Sequence, residues 1–230
     1  MGTTAIRILG LALAAAAGVT ALPARAQAPT ERVVNGTFEA GNSGFQTTYT
    51  GNPPGLIQIT TNPNQLFGGF ASYGDHTTGT GNMLFFDTNG AGPNDYFWQQ
   101  TLGVAPNSNY ALSFWMTNAG PVVNPPLVDV RVDGVSIGQF SPTTSANYVQ
   151  YTANYTTGAL ANTATLGFYN LNPGTNFNDA TIDDISFMGA APAVPEPATW
   201  GLMIGGFGIA GGALRRRRRG PARRLTPALG

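Results

Sequence analysis

The run Ala198–Leu214 holds 17 residues without a charge and stops at five consecutive arginines, Arg215–Arg219. A near-membrane-length apolar segment closed by a positive stop reads as an address, and it cannot share a core with the rest of the chain. As a helix the run spans about 25 Å at about 1.5 Å per residue, a little short of the roughly 30 Å hydrocarbon core. Its six glycines each weaken a helix by about 1 kcal/mol relative to alanine. The predicted transmembrane helix 198–214 is therefore marginal, which suits a transient anchor; an ordinary permanent anchor is the alternative. The arginines set its orientation, C-terminus in the cytoplasm. Gly201/Gly205 and Gly208/Gly212 are small-xxx-small spacings that let another membrane helix approach closely.

The other end carries a second address. Arg7 precedes the apolar run Ile8–Leu22, and Ala24-Arg25-Ala26 supplies a small-x-small cleavage pattern. Residues 1–26 read as a secretory signal peptide cut after Ala26 and handed to the Sec translocon. A permanent transmembrane helix is the competing reading, but the run is short. Both ends are excluded from fold reasoning.

Val194-Pro195-Glu196-Pro197 stands immediately before the C-terminal run. The block PEPATWGLMIGGFGIAGGALRRRRR resembles the PEP-CTERM sorting tail of Gram-negative bacteria. The resemblance implies a sorting signal over 192–219, with the motif at 194–197, the membrane helix at 198–214 and the stop at Arg215, Arg216, Arg217, Arg218 and Arg219. It also implies an exosortase-type membrane protease that cuts near Pro195, Glu196 and Pro197. The exported protein would pass through an inner-membrane intermediate to the cell surface or extracellular matrix. Residues 220–230 extend past the arginines as a cytoplasmic tail, where many members of that family stop.

Residues 27–191 remain, a usual length for one domain. Between Glu31 and Ala190 ten acidic residues face only Arg32 and Arg131, a net charge of about −8, and the chain has no lysine. Such a surface excludes nucleic acid and anionic lipid, whose phosphates need Lys and Arg, and leaves cations open. Cysteine is absent, so an exported domain that could have used disulfides relies on its core, on a metal, or on both.

Within the domain, long 3.6-residue apolar periods are missing and strand signals dominate. Strands are predicted over Leu56–Thr60, Met83–Phe86, Tyr96–Leu102, Tyr110–Met116, Leu127–Val132, Val135–Phe140, Tyr148–Tyr155, Ala164–Tyr169 and Thr181–Phe187. Asp133-Gly134 predicts a tight hairpin between the fifth and sixth. Nine short strands with polar turns read as an all-β sandwich, and Pro192–Pro197 as a stiff linker.

The domain opens with Val33-Val34-Asn35-Gly36-Thr37-Phe38-Glu39 and closes with Ala180-Thr181-Ile182-Asp183-Asp184-Ile185-Ser186-Phe187. Between them lie Trp98-Gln99-Gln100-Thr101-Leu102 and Tyr110-Ala111-Leu112-Ser113-Phe114-Trp115. This ordered set, from Glu31 to Phe187, is similar to the carbohydrate-binding jelly rolls of the galactose-binding-like superfamily. The resemblance implies a jelly-roll β-sandwich, a polysaccharide partner, and a structural Ca2+ shared by the first and last strands. Glu39, Asp183 and Asp184 match the acids of that site, and calcium wants six to eight oxygens. Apolar parity shifts across Asp183-Asp184, which predicts a bulge that turns one carboxylate inward. The alternative is that both aspartates are solvated at a strand edge, with Glu39 in a loop.

A sugar site needs aromatic faces with amides and carboxylates beside them. Trp98, Trp115 and Tyr151 are the candidates, with Tyr96, Tyr148 and Tyr155 behind them. Trp115 is out of phase with Leu112, Phe114 and Met116, so a groove-facing position is expected; core burial is the competing reading for every large aromatic. Catalysis is not expected. The single histidine, His76, falls in a turn-rich loop and reads as solvent-exposed, no serine has nucleophile-elbow context, and no acid pair is marked for glycoside hydrolysis. Two functions compete: a non-catalytic surface or matrix protein that binds polysaccharide, and a structural or adhesive protein without a specific glycan site. An extracellular hydrolase stands third.

Overall fold

The computed structural model describes residues 28–51, 56–89, 91–172, 177–190 and 197–217. The predicted signal peptide (1–26), Pro195, Glu196, Arg218, Arg219 and the 220–230 tail lie outside these residues. Among the described residues ten strands form two antiparallel sheets. They are β1 (Thr30–Glu31), β2 (Leu56–Thr60), β3 (Met83–Asp87), β4 (Tyr96–Gly103), β5 (Asn109–Asn118), β6 (Val128–Val132), β7 (Val135–Phe140), β8 (Val149–Thr156), β9 (Thr163–Asn170) and β10 (Ala180–Gly189). All nine predicted strands form; the two-residue β1 had too little sequence to carry a pattern. Asp133 and Gly134 take φ of +50° and +81°, the left-handed pair that a two-residue hairpin requires.

One sheet runs β2-β3-β10-β5-β8 with β1 also on β10, and the other runs β4-β9-β6-β7. Leu112, Phe114 and Met116 on β5 and Ile182, Ile185 and Phe187 on β10 point inward. They meet Leu102 on β4, Val128, Val130 and Val132 on β6, and Leu166 and Phe168 on β9 in one buried core. Phe114 packs edge-on against Phe168 at 5.1 Å, and Tyr110 stacks on Phe187 at 4.9 Å. Period-2 alternation alone thus delivers the sandwich, since each sheet must cover the other's apolar face.

Strand β10 is the hub. Its first residues pair with β3 and its last two with β1, while β5 runs along its other side. The opening segment fills the interval between β3 and β1, where Ile185 N–H donates to Gly36 O at 3.0 Å. Gln100 of β4 ties the same segment to the second sheet, accepting from Val34 N–H at 2.8 Å and donating to Val34 O at 3.1 Å. The two motifs at either end of the domain are therefore one structural unit.

The long connection from Thr61 to Asn82 folds over the outer face of β3, β10 and β5. Asn62 caps its 3-10 turn at Pro63–Gln65, Ala71 N–H donates to Ala119 O at 2.8 Å, and Phe70 packs on Phe85 at 5.3 Å. This cover explains why Met83, Phe85, Thr117, Thr181 and Asp183 are buried although they point away from the sandwich core.

A separate helix, α1 (Pro197–Arg217), forms where the C-terminal run was predicted helical. Its Met203, Ile204, Phe207, Ile209 and Leu214 are exposed. No helix among the described residues is long and apolar enough to cross a membrane, and the marginal span expected at 198–214 falls within α1. The physical reason is dilution: six glycines over a 17-residue run leave little apolar surface for the length.

Candidate functional site

The bulge in β10 decides where the polar chemistry lies. Register against β5 shifts between Asp183 and Ser186, as the parity break predicted, and Asp184 takes φ of +50°. A short polar side chain tolerates that left-handed conformation. Asp183 consequently turns under the 61–82 cover, while Asp184 stands at its margin.

Asp183 is fully buried. It accepts the backbone N–H of His76 at 2.9 Å and of Asp184 at 2.8 Å. Burial pushes its carboxyl up to about 7; the Asp184 charge adds to this and the two N–H donors oppose it. Asp184 meets His76 Nδ1 at 2.6 Å and accepts from Thr77 Oγ1 at 2.6 Å. The His76 ring lies flat on Trp115, centroids 3.7 Å apart and planes 16° apart, and Tyr148 approaches it edge-on at 5.6 Å. Behind this stack the Tyr73 and Tyr148 hydroxyls both meet Thr181 Oγ1, at 3.0 and 3.2 Å.

The His76 backbone is held by a tight turn built on Asp75, which accepts from Thr78 N–H at 2.7 Å and Gly81 N–H at 2.6 Å. Burial pushes the Asp75 carboxyl up, but the hydrogen bonds outweigh it and hold it below the ordinary carboxylate value. A Cβ at Gly74 would lie 1.8 Å from Gly79 O, so only glycine closes this turn.

The expected solvent-exposed histidine is thus a correction: His76 pins the loop to the bulge, through a partner 108 residues away in sequence. No short-range signal could have found it. Trp115 is half-buried, out of phase with the core as expected, with His76 stacked on its ring. Trp98 is a second correction. It is 0% exposed, packed edge-on against Phe168 at 5.5 Å, and presents no face to a ligand. A bulge between Tyr96 and Trp98 sends both Phe97 and Trp98 inward. Tyr151 also turns inward, stacking on Phe114 at 5.5 Å and donating to Ser141 O at 2.8 Å.

Glu39, Asp183 and Asp184, the carboxylates expected to hold Ca2+, each meet protein groups. Glu39 accepts Asn82 N–H at 2.9 Å, Asp183 faces backbone amides and Asp184 faces His76 and Thr77. Among the described residues no group of three or more His, Cys, Asp or Glu side chains could hold a metal ion.

Beside Trp115 the outer face of the sheet is open. Gln150 on edge strand β8 lies opposite Trp115, Thr152 opposite Ser113, and Asn154 opposite Ala111. Gln150, Thr152 and Asn154 are exposed, and Ser186 of β10 flanks Ser113 on the other side. Neighbouring strands lie about 4.8 Å apart, so amides and hydroxyls form a row that starts at a half-buried indole.

No curated protein sequence matches the chain. Among solved structures, a cyclase from Fischerella sp. TAU in complex with 4-(1H-indol-3-yl)butan-2-one is similar, at 12% identity, covering 72% of this chain and 100% of that one, with a TM-score of 0.51. At that identity the likeness is one of fold alone. The CBM22-1-CBM22-2 tandem domain of Paenibacillus barcinonensis Xyn10C aligns at 11% identity over 76% of this chain and 50% of that one, TM-score 0.48. The CBM22-1 xylan-binding domain of the same protein aligns at 10% identity over 72% and 95%, TM-score 0.45. At the other end of the chain, residues 193–219 match the PEP-CTERM protein-sorting motif, and the chain is an exported protein that carries that motif.

Proposed function

We propose that this is a non-catalytic cell-surface or matrix protein whose sandwich, wound as a jelly roll, binds polysaccharide along the outer face of the six-stranded sheet. The observation that carries the reading is Trp115: an indole out of phase with the core, its plane fixed by His76, at the head of the exposed Gln150, Thr152 and Asn154 row. His76 covers one face of the indole, and the exposed part of the half-buried ring supplies rigid apolar contact at low entropic cost. The amides and hydroxyls each supply donors and acceptors for sugar hydroxyls. The extent of the face matters as much: an exposed row along a strand fits an extended chain better than a small molecule, which prefers a concave pocket.

Sorting supports the same location. The motif at 193–219 fits an exosortase-type protease that releases the exported body at the cell surface, where the organism's own exopolysaccharide is at hand. A body of about −8 suits a neutral or cationic glycan and disfavours a polyanionic one.

The test is a glycan array and whole-polysaccharide pull-down with the protein purified from its exporting cell. Binding that Trp115→Ala abolishes and Gln150→Ala weakens supports the reading. Absence of binding by a folded protein sinks it in favour of a structural matrix role.

A further inference from the structure

We infer that a second site, at the loop end of the sandwich, binds an organic ammonium ion: a cleft of about 260 Å³ walled by Phe67, Phe70, Phe177 and Pro121 with the Asp179 carboxylate among them. This inference is independent of the glycan reading.

The cleft has the parts that a cation with an apolar skin requires. Phe67 and Phe177 are 64% and 51% exposed, a large outlay of aromatic surface for a domain with so few exposed rings. Phe67 does not stand loose, because it meets Phe70 edge-on at 5.3 Å and Phe70 in turn rests on Phe85 of β3 at 5.3 Å. Room is kept by glycine: a Cβ at Gly69 would lie 2.5 Å from Phe67 Cε1, so any side chain there would push the ring into the opening. Aromatic faces attract a cation through the ring quadrupole, and methylated ammonium ions gain most, since they lose little hydration on entering.

Asp179 supplies the counter-charge. It makes no ion pair among the described residues, whose salt bridges are His76–Asp184 and Arg131–Asp129. Burial pushes its carboxyl up to about 6, and the Asp87 charge adds to this. A cation seated between the rings would relieve both effects, whereas a neutral ligand would relieve neither. An anion is excluded by the same two carboxylates, and the cationic groups Arg32 and Arg131 are engaged elsewhere, Arg32 with Thr30 and Arg131 with Asp129 and the Tyr169 ring.

The experiment titrates the full chain, in detergent, with choline and with its neutral carbon isostere 3,3-dimethyl-1-butanol, by calorimetry and saturation-transfer NMR. Millimolar choline is expected to bind and the isostere to bind about tenfold more weakly, the difference set by the cation–ring and cation–carboxylate terms. Asp179→Asn and Phe177→Ala should each weaken choline about tenfold, while Trp115→Ala leaves it unchanged. Both substituted side chains are at the surface of the cleft, so circular dichroism should match the parent. Equal binding of choline and the isostere overturns the proposal, as does absence of choline binding or indifference to Asp179→Asn.

Discussion

Gly36 and Ile185 are joined at the point where the last strand breaks register: the Ile185 N–H donates to Gly36 O at 3.0 Å, and a Cβ on Gly36 would lie 1.9 Å from Ile185 O. The glycine of the opening motif is required because the bulge of the closing motif occupies its side-chain space. Gly36→Ala is expected to destabilise the domain by about 2–3 kcal/mol through overpacking against backbone that cannot yield. Gly68→Ala, where nothing lies within 4 Å, should be close to neutral. Urea midpoints with an unchanged slope separate the two.

The Asp183 carboxyl predicts a pH dependence with a definite sign. Its folded value, about 7, lies above the unfolded value of about 3.9. The folded state therefore holds more protons than the unfolded state between about pH 4 and pH 7, and stability falls as pH rises through that window. Asp184, Asp75 and His76 face the same space, so the informative quantity is the difference between the parent and Asp183→Asn. The Asn side chain keeps only one of the two acceptor oxygens that the His76 and Asp184 N–H groups use, a loss that does not vary with pH, and it cannot ionise. Its stability relative to the parent should rise by on the order of 2 kcal/mol from pH 4 to pH 7.5. A difference that stays flat in chemical denaturation would exclude a raised carboxyl.

His76→Ala should loosen the 61–82 cover without unfolding the sandwich. The substitution removes a partly exposed pair with Asp184 and the stack on Trp115, together worth about 1 kcal/mol. Amide exchange should rise at Tyr73–Gly81, and the Trp115 emission should move to the red. Backbone amides of β5 and β9 should keep their protection, because their hydrogen bonds lie in the sheets. Loss of protection throughout would mean that the cover is part of the core.

The sheets were readable because their determinant is local: alternation along β5, β6 and β8 states which residues face inward, and Asp133-Gly134 names its own turn. Even the β10 bulge left a trace, since Ile182 and Ile185 differ in parity. The site was less legible. Trp98 and Trp115 look alike as ligand platforms, and what separates them is a bulge at Tyr96–Trp98 that no periodicity announces. His76 sits in a loop of Gly, Thr and Asp residues with no pattern, and its contacts with Asp184 and Trp115 exist only after β10 and β5 have paired. For the acids of the opening and closing motifs, sequence does not reveal the partners they take: Asn82 N–H for Glu39, His76 N–H for Asp183, and the His76 ring and Thr77 for Asp184.

The two tryptophans also give opposite expectations in stability and binding. Trp98 is fully buried between Phe168 and Phe45, so Trp98→Ala should cost about 3–5 kcal/mol and lower polysaccharide binding only through the unfolded fraction. Trp115→Ala should cost about 1 kcal/mol and abolish binding at temperatures where the protein is folded. Measuring both quantities on both variants separates a binding residue from a folding residue. If Trp98→Ala loses affinity while fully folded, the assignment of the binding face to Trp115 is wrong.

Processing is the prediction with the sharpest readout. A sorting motif over 193–219 implies that the body reaches the surface without its arginines, so the intact mass of the surface product should end near Pro195–Pro197. Replacing Pro195, Glu196 and Pro197 with alanines should leave uncut chain in the membrane fraction, because the protease loses its recognition element while α1 and the Arg215–Arg219 stop are untouched. Replacing the five arginines with glutamines should act differently: it removes the positive stop that fixes orientation, and should yield uncut chain in the soluble exported fraction. The two variants thus fail at different compartments. A surface product that retains Arg215–Arg219 would mean that the motif serves as a permanent anchor and that release from it plays no part in sorting.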